Sequence, residues 1–281
     1  MKQGLYLPNV GHYADPRRLA EYAVAAEASG WDGLFLWDHL LLETPNSLPA
    51  CDTWTALAAI LTRTRTLVAG PLVTPLARRR PAKVARETTT LDELSEGRLV
   101  LGVGLGADAR GEFGAFGEST DARGRAERLD EGLDVIRALW TGEEQSHHGP
   151  HHRLDRVRFL PAPRRPIPIW TGATGTTPRP LARAARHDGV VPMVRQPSGA
   201  LRGPTPAELA DTVRAMPPLH RTEGFQIAVP GTLSPNHPDE AAERLDEYRT
   251  HGATWWLESF DPWRRDPADL RRWITQGPPI S

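Results

Sequence analysis

The chain has 281 residues, 39% of them hydrophobic, a length that carries one large α/β barrel or two ordinary domains. Its 34 Lys plus Arg nearly balance 35 Asp plus Glu, a formal charge of -1, so no global field draws it to nucleic acid or an anionic membrane, and a small molecule is the expected partner. Cys51 is the single cysteine, which excludes an internal disulfide, and the N-terminal apolar stretch is too short and interrupted for a signal segment or a membrane span; a reducing cytoplasm is the expected compartment.

In chain order, Gln3 to Asn9 is a short apolar run that predicts a strand, and Pro16 opens a helix with Leu19, Ala23 and Ala26 at helical spacing, ending at Gly30. Gly33 to His39 is a nearly continuous apolar run, the form of a strand buried on both faces of a parallel sheet. A helix follows from an N-cap at Asp52 to about Arg63. The third strand, Thr66 to Thr74, contains Pro71, which cannot donate to a ladder, so Gly70 and Pro71 predict a distortion. Pro81 starts a helix that stops at Gly97, strand four runs from Arg98 to Gly106, and Arg123 to Trp140 is a long amphipathic helix. His147 to Pro166 interrupts the rhythm as an irregular hairpin before strand five. Further strands are Ile167 to Ala173, Gly189 to Met193, Phe225 to Gly231 and Thr254 to Ser259, with helices from near Pro178, Pro206, Asp239 and Pro267. Eight strand and helix pairs, over a length close to the roughly 250 residues usual for it, predict a (β/α)8 TIM barrel formed by residues 1–281 as one domain.

Catalytic groups of such a barrel sit where strands end and βα loops begin. Those positions are Asn9, Asp38 and His39, Val73 and Thr74, Gly104 to Asp108, Gly172 to Thr174, Met193 and Glu258. Asp38 and His39 place a carboxylate beside an imidazole, a proton acceptor tunable near neutral pH; the alternative is an Asp capping the loop and a His filling a polar gap. GVGLGADA lacks the third glycine of a dinucleotide fingerprint, and its glycines instead allow close backbone approach to a flat ring or a neighbouring strand. GATGTT, Gly172 to Thr177, precedes a helix start and is a phosphate candidate or a plain turn. Arg78, Arg79 and Arg80 either greet an anion or form a solvated basic loop. Trp255 and Trp256 alternate, one inward and one outward, and Glu258 at a strand end calls for solvent or a function. The four histidines between His147 and His152 invite zinc, but adjacent His pairs in a polar loop read as solvated surface and no metal is expected. Cys51 reads as a small buried hydrophobe. Glu112 to Ser119 (EFGAFGES) is a candidate flap, unless Phe113 and Phe116 pack on the barrel top.

Taken together, LVTPLARRRPAKVARETTTLDELSEGRLVLGVGLG (Leu72 to Gly106), FLWDHL (Phe35 to Leu40), IPIWTGA (Ile167 to Ala173) and ARHDGVVP (Ala185 to Pro192) resemble the luciferase-like monooxygenase family of flavin- or deazaflavin-dependent barrels. The resemblance implies FMN or coenzyme F420 at the C-terminal mouth. It implies a bulge at Leu72, Val73 and Thr74, often with a non-proline cis peptide, behind the ring; Gly104, Gly106 and Asp108 beside it; and Gly172, Ala173 and Thr174 at the phosphate. Asp38 and His39 line the reactive edge as the catalytic pair, and Asn9, Trp37, Phe113 and Glu258 form the expected substrate pocket. The implied activity is a reduced flavin activating oxygen for a small organic substrate, or a deazaflavin exchanging hydride; a flavin-binding barrel without turnover is a further alternative. Family members often pair as homodimers. The long insertions that form a substrate lid in luciferases are hard to find here, which leaves the substrate open.

Overall fold

The computed structural model describes residues 1–42, 47–108, 111–218, 224–233, 238–263 and 267–279. Among these, eight parallel strands form the barrel wall: β1 (Lys2–Leu7), β2 (Gly33–Leu36), β3 (Val68–Pro71, resumed at Thr74–Pro75), β4 (Leu101–Gly104), β5 (Ile169–Thr174), β6 (Gly189–Arg195), β7 (Gln226–Gly231) and β8 (Trp255–Ser259). The helices are α1 (Pro16–Ala28), α2 (Thr53–Arg63), α3 (Pro81–Ser95), α4 (Ala122–Trp140), α5 (Pro178–Ala184), α6 (Pro206–Ala215), α7 (Pro238–Thr250) and α8 (Pro267–Gln276). Strands pair in the order β3-β2-β1-β8-β7-β6-β5-β4. The ring closes between β3 and β4, where Ala69 bridges Leu99 and Thr74 and Pro75 pair with Val103 and Gly104.

Local chemistry sets the boundaries. Proline occupies the first turn of α1, α3, α5 and α6, where its missing N–H has no partner to lose. Asp52 caps α2 through Thr55 N at 2.7 Å, as the sequence predicts. At the end of α3 it is Glu96, with φ 56°, that turns left-handed, and Gly97 follows at φ 87°. β2 stops at Leu36, three residues earlier than predicted, so Trp37, Asp38 and His39 open the loop. The distortion of β3 lies beyond Gly70 and Pro71, at Leu72 to Thr74, where the resemblance implies it. Pro71 stays paired with Leu36 of β2, and a cis Leu72–Val73 peptide separates it from Thr74. Ala69 donates to Arg98 O and accepts from Val100 N, so the N–H that Pro71 lacks is the next one facing β4.

Side chains alternate across each strand. Phe35, Trp170 and Trp255 point to the axis and pack with ring centroids 5.4–5.6 Å apart. Gly33 and Gly189 make room for them: a Cβ there would come within 2.9 Å of Trp255 and 2.6 Å of Trp170. Leu72, Val100, Val191, Ala228 and Leu257 complete this inner cluster, and Tyr6, Val73 and Met193 border it half-buried. Each such fully buried large side chain contributes about 1.5–3 kcal/mol, so the inside of the barrel is a packed core and not a channel. Trp256 faces outward, 5.0 Å from the Tyr248 ring.

The predicted hairpin is an antiparallel pair, Glu144–His148 with Arg153–Arg158. Glu131 of α4 fastens it by accepting from His147 Nε2 at 2.9 Å, His151 N at 3.0 Å and His152 N at 2.8 Å. Among the described residues no three metal-ligating side chains converge, and no helix is long and apolar enough to cross a membrane.

Candidate active site

The loops after β1, β2, β3 and β4 assemble one polar network. Asn9, fully buried, donates to His39 O at 2.8 Å and Cys51 O at 2.7 Å and accepts from His39 N at 3.1 Å. Its amide fixes the backbone of His39 and is not free for a substrate, which corrects its expected place in the pocket. Asp38 is also engaged: Arg79 Nη2 reaches both carboxylate oxygens at 2.9 Å and Thr74 Oγ1 donates at 2.8 Å. It therefore braces β2 against β3, and the proton-accepting capacity expected of the pair rests with His39 alone.

His39 keeps 30% of its side chain exposed, and its Nδ1 lies 2.9 Å from Glu112 Oε2. Glu112 is buried and its Oε1 accepts from Leu40 N at 2.8 Å and Arg78 Nη1 at 3.1 Å. Burial alone would raise the pKa of this carboxyl, but the His39 hydrogen bond, the charges of His39 and Arg78 and the Leu40 amide outweigh it and hold the group below the usual carboxylate range. An ionised carboxylate only accepts, so Nδ1 donates to it and Nε2 is the ring nitrogen left to exchange a proton. Arg78 and Arg79 counter two buried carboxylates and do not form the phosphate cradle that three consecutive arginines suggest; Arg80 is exposed ahead of α3.

The predicted flap is a turn folded on its own cap. Asp108 Oδ1 accepts from Phe113 N at 2.7 Å and Gly114 N at 2.9 Å, and those two amides lower its pKa. Asp108 thus organises the loop. Phe113 is fully buried, with Gly106 packed so closely that a Cβ would meet its ring at 2.9 Å, while Phe116 is half exposed. Above the Phe113 ring, at 4.5 Å, lies the guanidinium of Arg125 from the first turn of α4. Arg125 is 7% exposed, and its Nε and Nη1 have no hydrogen-bond partner.

At the centre of the mouth, Val73 leans over the axis. Its Cγ2 would lie 2.3 Å from a Cβ placed on Gly104, and its Cγ1 3.6 Å from one on Gly172. The missing side chains leave a smooth apolar face. Tyr6 Oη donates to Leu72 O at 2.5 Å, and burial pushes this phenol above its ordinary range. Trp37 stands 6.0 Å from Tyr6 and 5.5 Å from His39 between ring centroids, and its buried indole N–H has no partner. Gly172 and Thr174 share the inward face of β5, whereas Ala173 is buried among the outer core and offers the mouth only backbone. The helix behind this loop, α5, has just seven residues, and Thr177 makes no side-chain cap to it.

Glu258 does not join the mouth. It shares the outward face of β8 with Trp256, accepts from Trp256 Nε1 at 3.1 Å and from Leu233 N at 3.1 and 3.2 Å, and is 1% exposed. Its carboxylate anchors the loop after β7, the structural reason for an acid at that strand end.

A family model described as luciferase-like monooxygenase matches residues 1–272. The F420-dependent glucose-6-phosphate dehydrogenase of Nakamurella multipartita is 36% identical over 174 residues, 59% of this chain and 49% of that protein. The matched stretch thus spans about half the length of such curated relatives. An F420-dependent secondary alcohol dehydrogenase, solved in complex with an F420–acetone adduct, superposes with a TM-score of 0.81 at 16% identity, covering 100% of this chain and 99% of that one. A monooxygenase from Streptomyces bottropensis gives a TM-score of 0.72 at 22% identity over 98% and 97% of the two chains. These likenesses share the barrel, and with the match along nearly its whole length, the chain belongs to the luciferase-like monooxygenase family.

Proposed function

We propose that this protein is an oxidoreductase that holds a deazaflavin of the F420 type at the mouth of its barrel and oxidises or reduces a small organic substrate there. The observation that carries the reading is His39, its Nδ1 tied to the ionised Glu112 and its ring 5.5 Å from Trp37, which in turn stands 6.0 Å from Tyr6 at the border of the inner cluster that includes Val73. A binding protein without turnover has no use for an imidazole oriented in this way.

The residues present fit a flat ring with an anionic tail. Leu72, Val73, Thr74 and Gly104 would back the ring, with Gly106 and Trp37 at its borders, and the unpartnered indole N–H of Trp37 suits a ring oxygen. Two buried guanidinium N–H groups without acceptors are costly, so Nε and Nη1 of Arg125 suit an anion, and with the backbone of Gly172, Ala173 and Thr174 Arg125 would take the phosphate. A bound deazaflavin supplies the two-electron exchange. His39 Nε2 takes the proton of a substrate hydroxyl, Glu112 steadies the imidazolium that forms, and Arg78 and Leu40 N keep Glu112 ionised and aligned. Asn9 holds the His39 backbone in register.

F420 is preferred to FMN because the Nakamurella relative, matched over about half its length, is named for that coenzyme. A cytoplasmic location accords with one unpaired cysteine, and a homodimer belongs to the same reading. Titration with F420 and with FMN, followed by tryptophan fluorescence and visible absorbance, tests it. Micromolar F420 affinity with weak FMN binding is expected; FMN binding alone turns the reading to flavin monooxygenation, and binding of neither ends it.

A further inference from the structure

The rim of the mouth carries a pattern that the proton-accepting pair does not use. Among the described residues, six large hydrophobic side chains are 46–58% exposed; Leu94 on α3 and Leu160 beyond the hairpin lie apart, and the other four follow alternate strands around the barrel: Leu40 after β2 (51%), Phe116 after β4 (52%), Leu201 after β6 (46%) and Trp263 after β8 (53%). Leu40 follows His39 and donates its N–H to Glu112. Phe116 ends the flap turn, Leu201 lies on a short strand that pairs back on Arg195, and Trp263 follows Pro262, which packs on Gly11 of the loop after β1. One exposed hydrophobic residue needs no explanation, but four spaced around a single opening give it an apolar collar. Tyr6, Trp37, Val73 and Met193 continue that surface downward.

The charges point the same way. The two lysines of the chain, Lys2 and Lys83, stand at the opposite end of the barrel and on the outer face of α3, paired there with Glu87. Arg78, Arg79 and Arg202 are held by Glu112, Asp38 and Glu208. Arg125, which acts on the Asp108 carboxylate through charge alone and leaves Nε and Nη1 without hydrogen bonds, is the buried guanidinium that the function proposed above assigns to the cofactor phosphate. A second anion would find no buried cation left, and burying one unpaired is prohibitive.

We infer that the substrate is an uncharged, largely aliphatic alcohol or the matching carbonyl compound, its oxygen at His39 Nε2 and its chain against the collar of Leu40, Phe116, Leu201 and Trp263. The inference rests on the oxidoreductase reading and separates this chain from a sugar-phosphate enzyme.

The test is calorimetric binding of a homologous series of methyl ketones, butanone to decanone, to the full chain loaded with oxidised F420, with glucose 6-phosphate as the contrasting ligand. Affinity is expected to rise about fourfold per added methylene until the collar is covered, and glucose 6-phosphate to show no binding. Leu40→Asp, Phe116→Asp and Trp263→Ser, made separately, are expected to reduce that increment for the longer ketones. Flat affinity along the series, or tighter binding of glucose 6-phosphate than of the longest ketone, overturns the inference while leaving the cofactor reading intact. Failure to load F420 or FMN overturns both.

Discussion

Replacing Glu112 by Gln removes one charge without changing shape, and the site geometry determines the consequences. The carboxylate accepts three hydrogen bonds, from His39 Nδ1 at 2.9 Å, Leu40 N at 2.8 Å and Arg78 Nη1 at 3.1 Å. A glutamine carbonyl can keep the two bonds made to Oε1, from Leu40 and Arg78, but its amide group then faces Nδ1. Two donors cannot face each other, so the imidazole shifts its proton to Nε2 and loses the basic nitrogen at the mouth. General-base assistance is typically worth about 10²–10⁴ in rate, and kcat/KM at neutral pH is expected to fall within that range. Arg78, only 6% exposed, loses its ionised partner, which costs on the order of 3 kcal/mol and lowers Tm by several degrees. Cofactor affinity stays within about threefold of the parent protein, because Glu112 touches none of the residues assigned to the ring or the phosphate. Steady-state rates with a primary or secondary alcohol, F420 titration and calorimetry on one preparation give the three readouts. A rate loss under about fivefold, or a loss matched by an equal loss of cofactor affinity, would refute the assignment of His39 Nε2 as proton acceptor.

Arg125→Met is expected to weaken F420 binding by about 100-fold while raising, or leaving unchanged, the melting temperature of the cofactor-free protein, since a buried guanidinium with two unsatisfied N–H groups is replaced by an apolar chain of similar length; a lower melting temperature with intact binding contradicts the anion role. Gly104→Val drives its side chain into Val73 Cγ2 and is expected to lower cofactor affinity at least tenfold and stability by about 1–3 kcal/mol, read by fluorescence titration and urea unfolding. His187 is buried with Arg137, Arg183 and Arg186 nearby, and burial above all, with those charges, lowers its pKa to about 3. The folded chain thus excludes a proton that the unfolded chain binds below about pH 6.5, so stability is complete above that pH and falls as pH drops toward 3. His187→Gln is expected to flatten that decline by a few kcal/mol in urea titrations across the window; an unchanged slope assigns acid sensitivity elsewhere.

The barrel was legible because parallel strands buried on both faces read as apolar runs, and because proline, aspartate and glycine mark helix ends in short-range chemistry. Pro16, Asp52, Pro81 and Pro267 stand where the helices begin. Strand ends were less so: FLWDH is apolar to its end, yet ladder pairing stops at Leu36, which depends on a neighbouring strand and not on local composition. The site was legible in place but not in partnership. His39 was found by its position, whereas Glu112, 73 residues on, was visible only as a charge in the flap motif, and the hydrogen bond that makes it functional is a tertiary fact. An acid early in the loop after a glycine-rich strand, facing a strand-end histidine, was the available signal. Arg125 resembles its exposed neighbour Arg123 in sequence, and only packing against Phe113 distinguishes it. Glu258 misled because alternation assigns it the same face as Trp256 without saying which tryptophan points inward.

The central claim is that Val73, Gly104 and Gly172 form the face on which a flat cofactor ring rests beside His39. A crystal structure of the protein grown with F420 tests this most directly. The account predicts the ring stacked on that face, a phosphate oxygen on Arg125 and a cofactor edge that leaves room for a substrate oxygen about 3 Å from His39 Nε2. A ring bound elsewhere, or one that leaves Arg125 still without an anion, contradicts it.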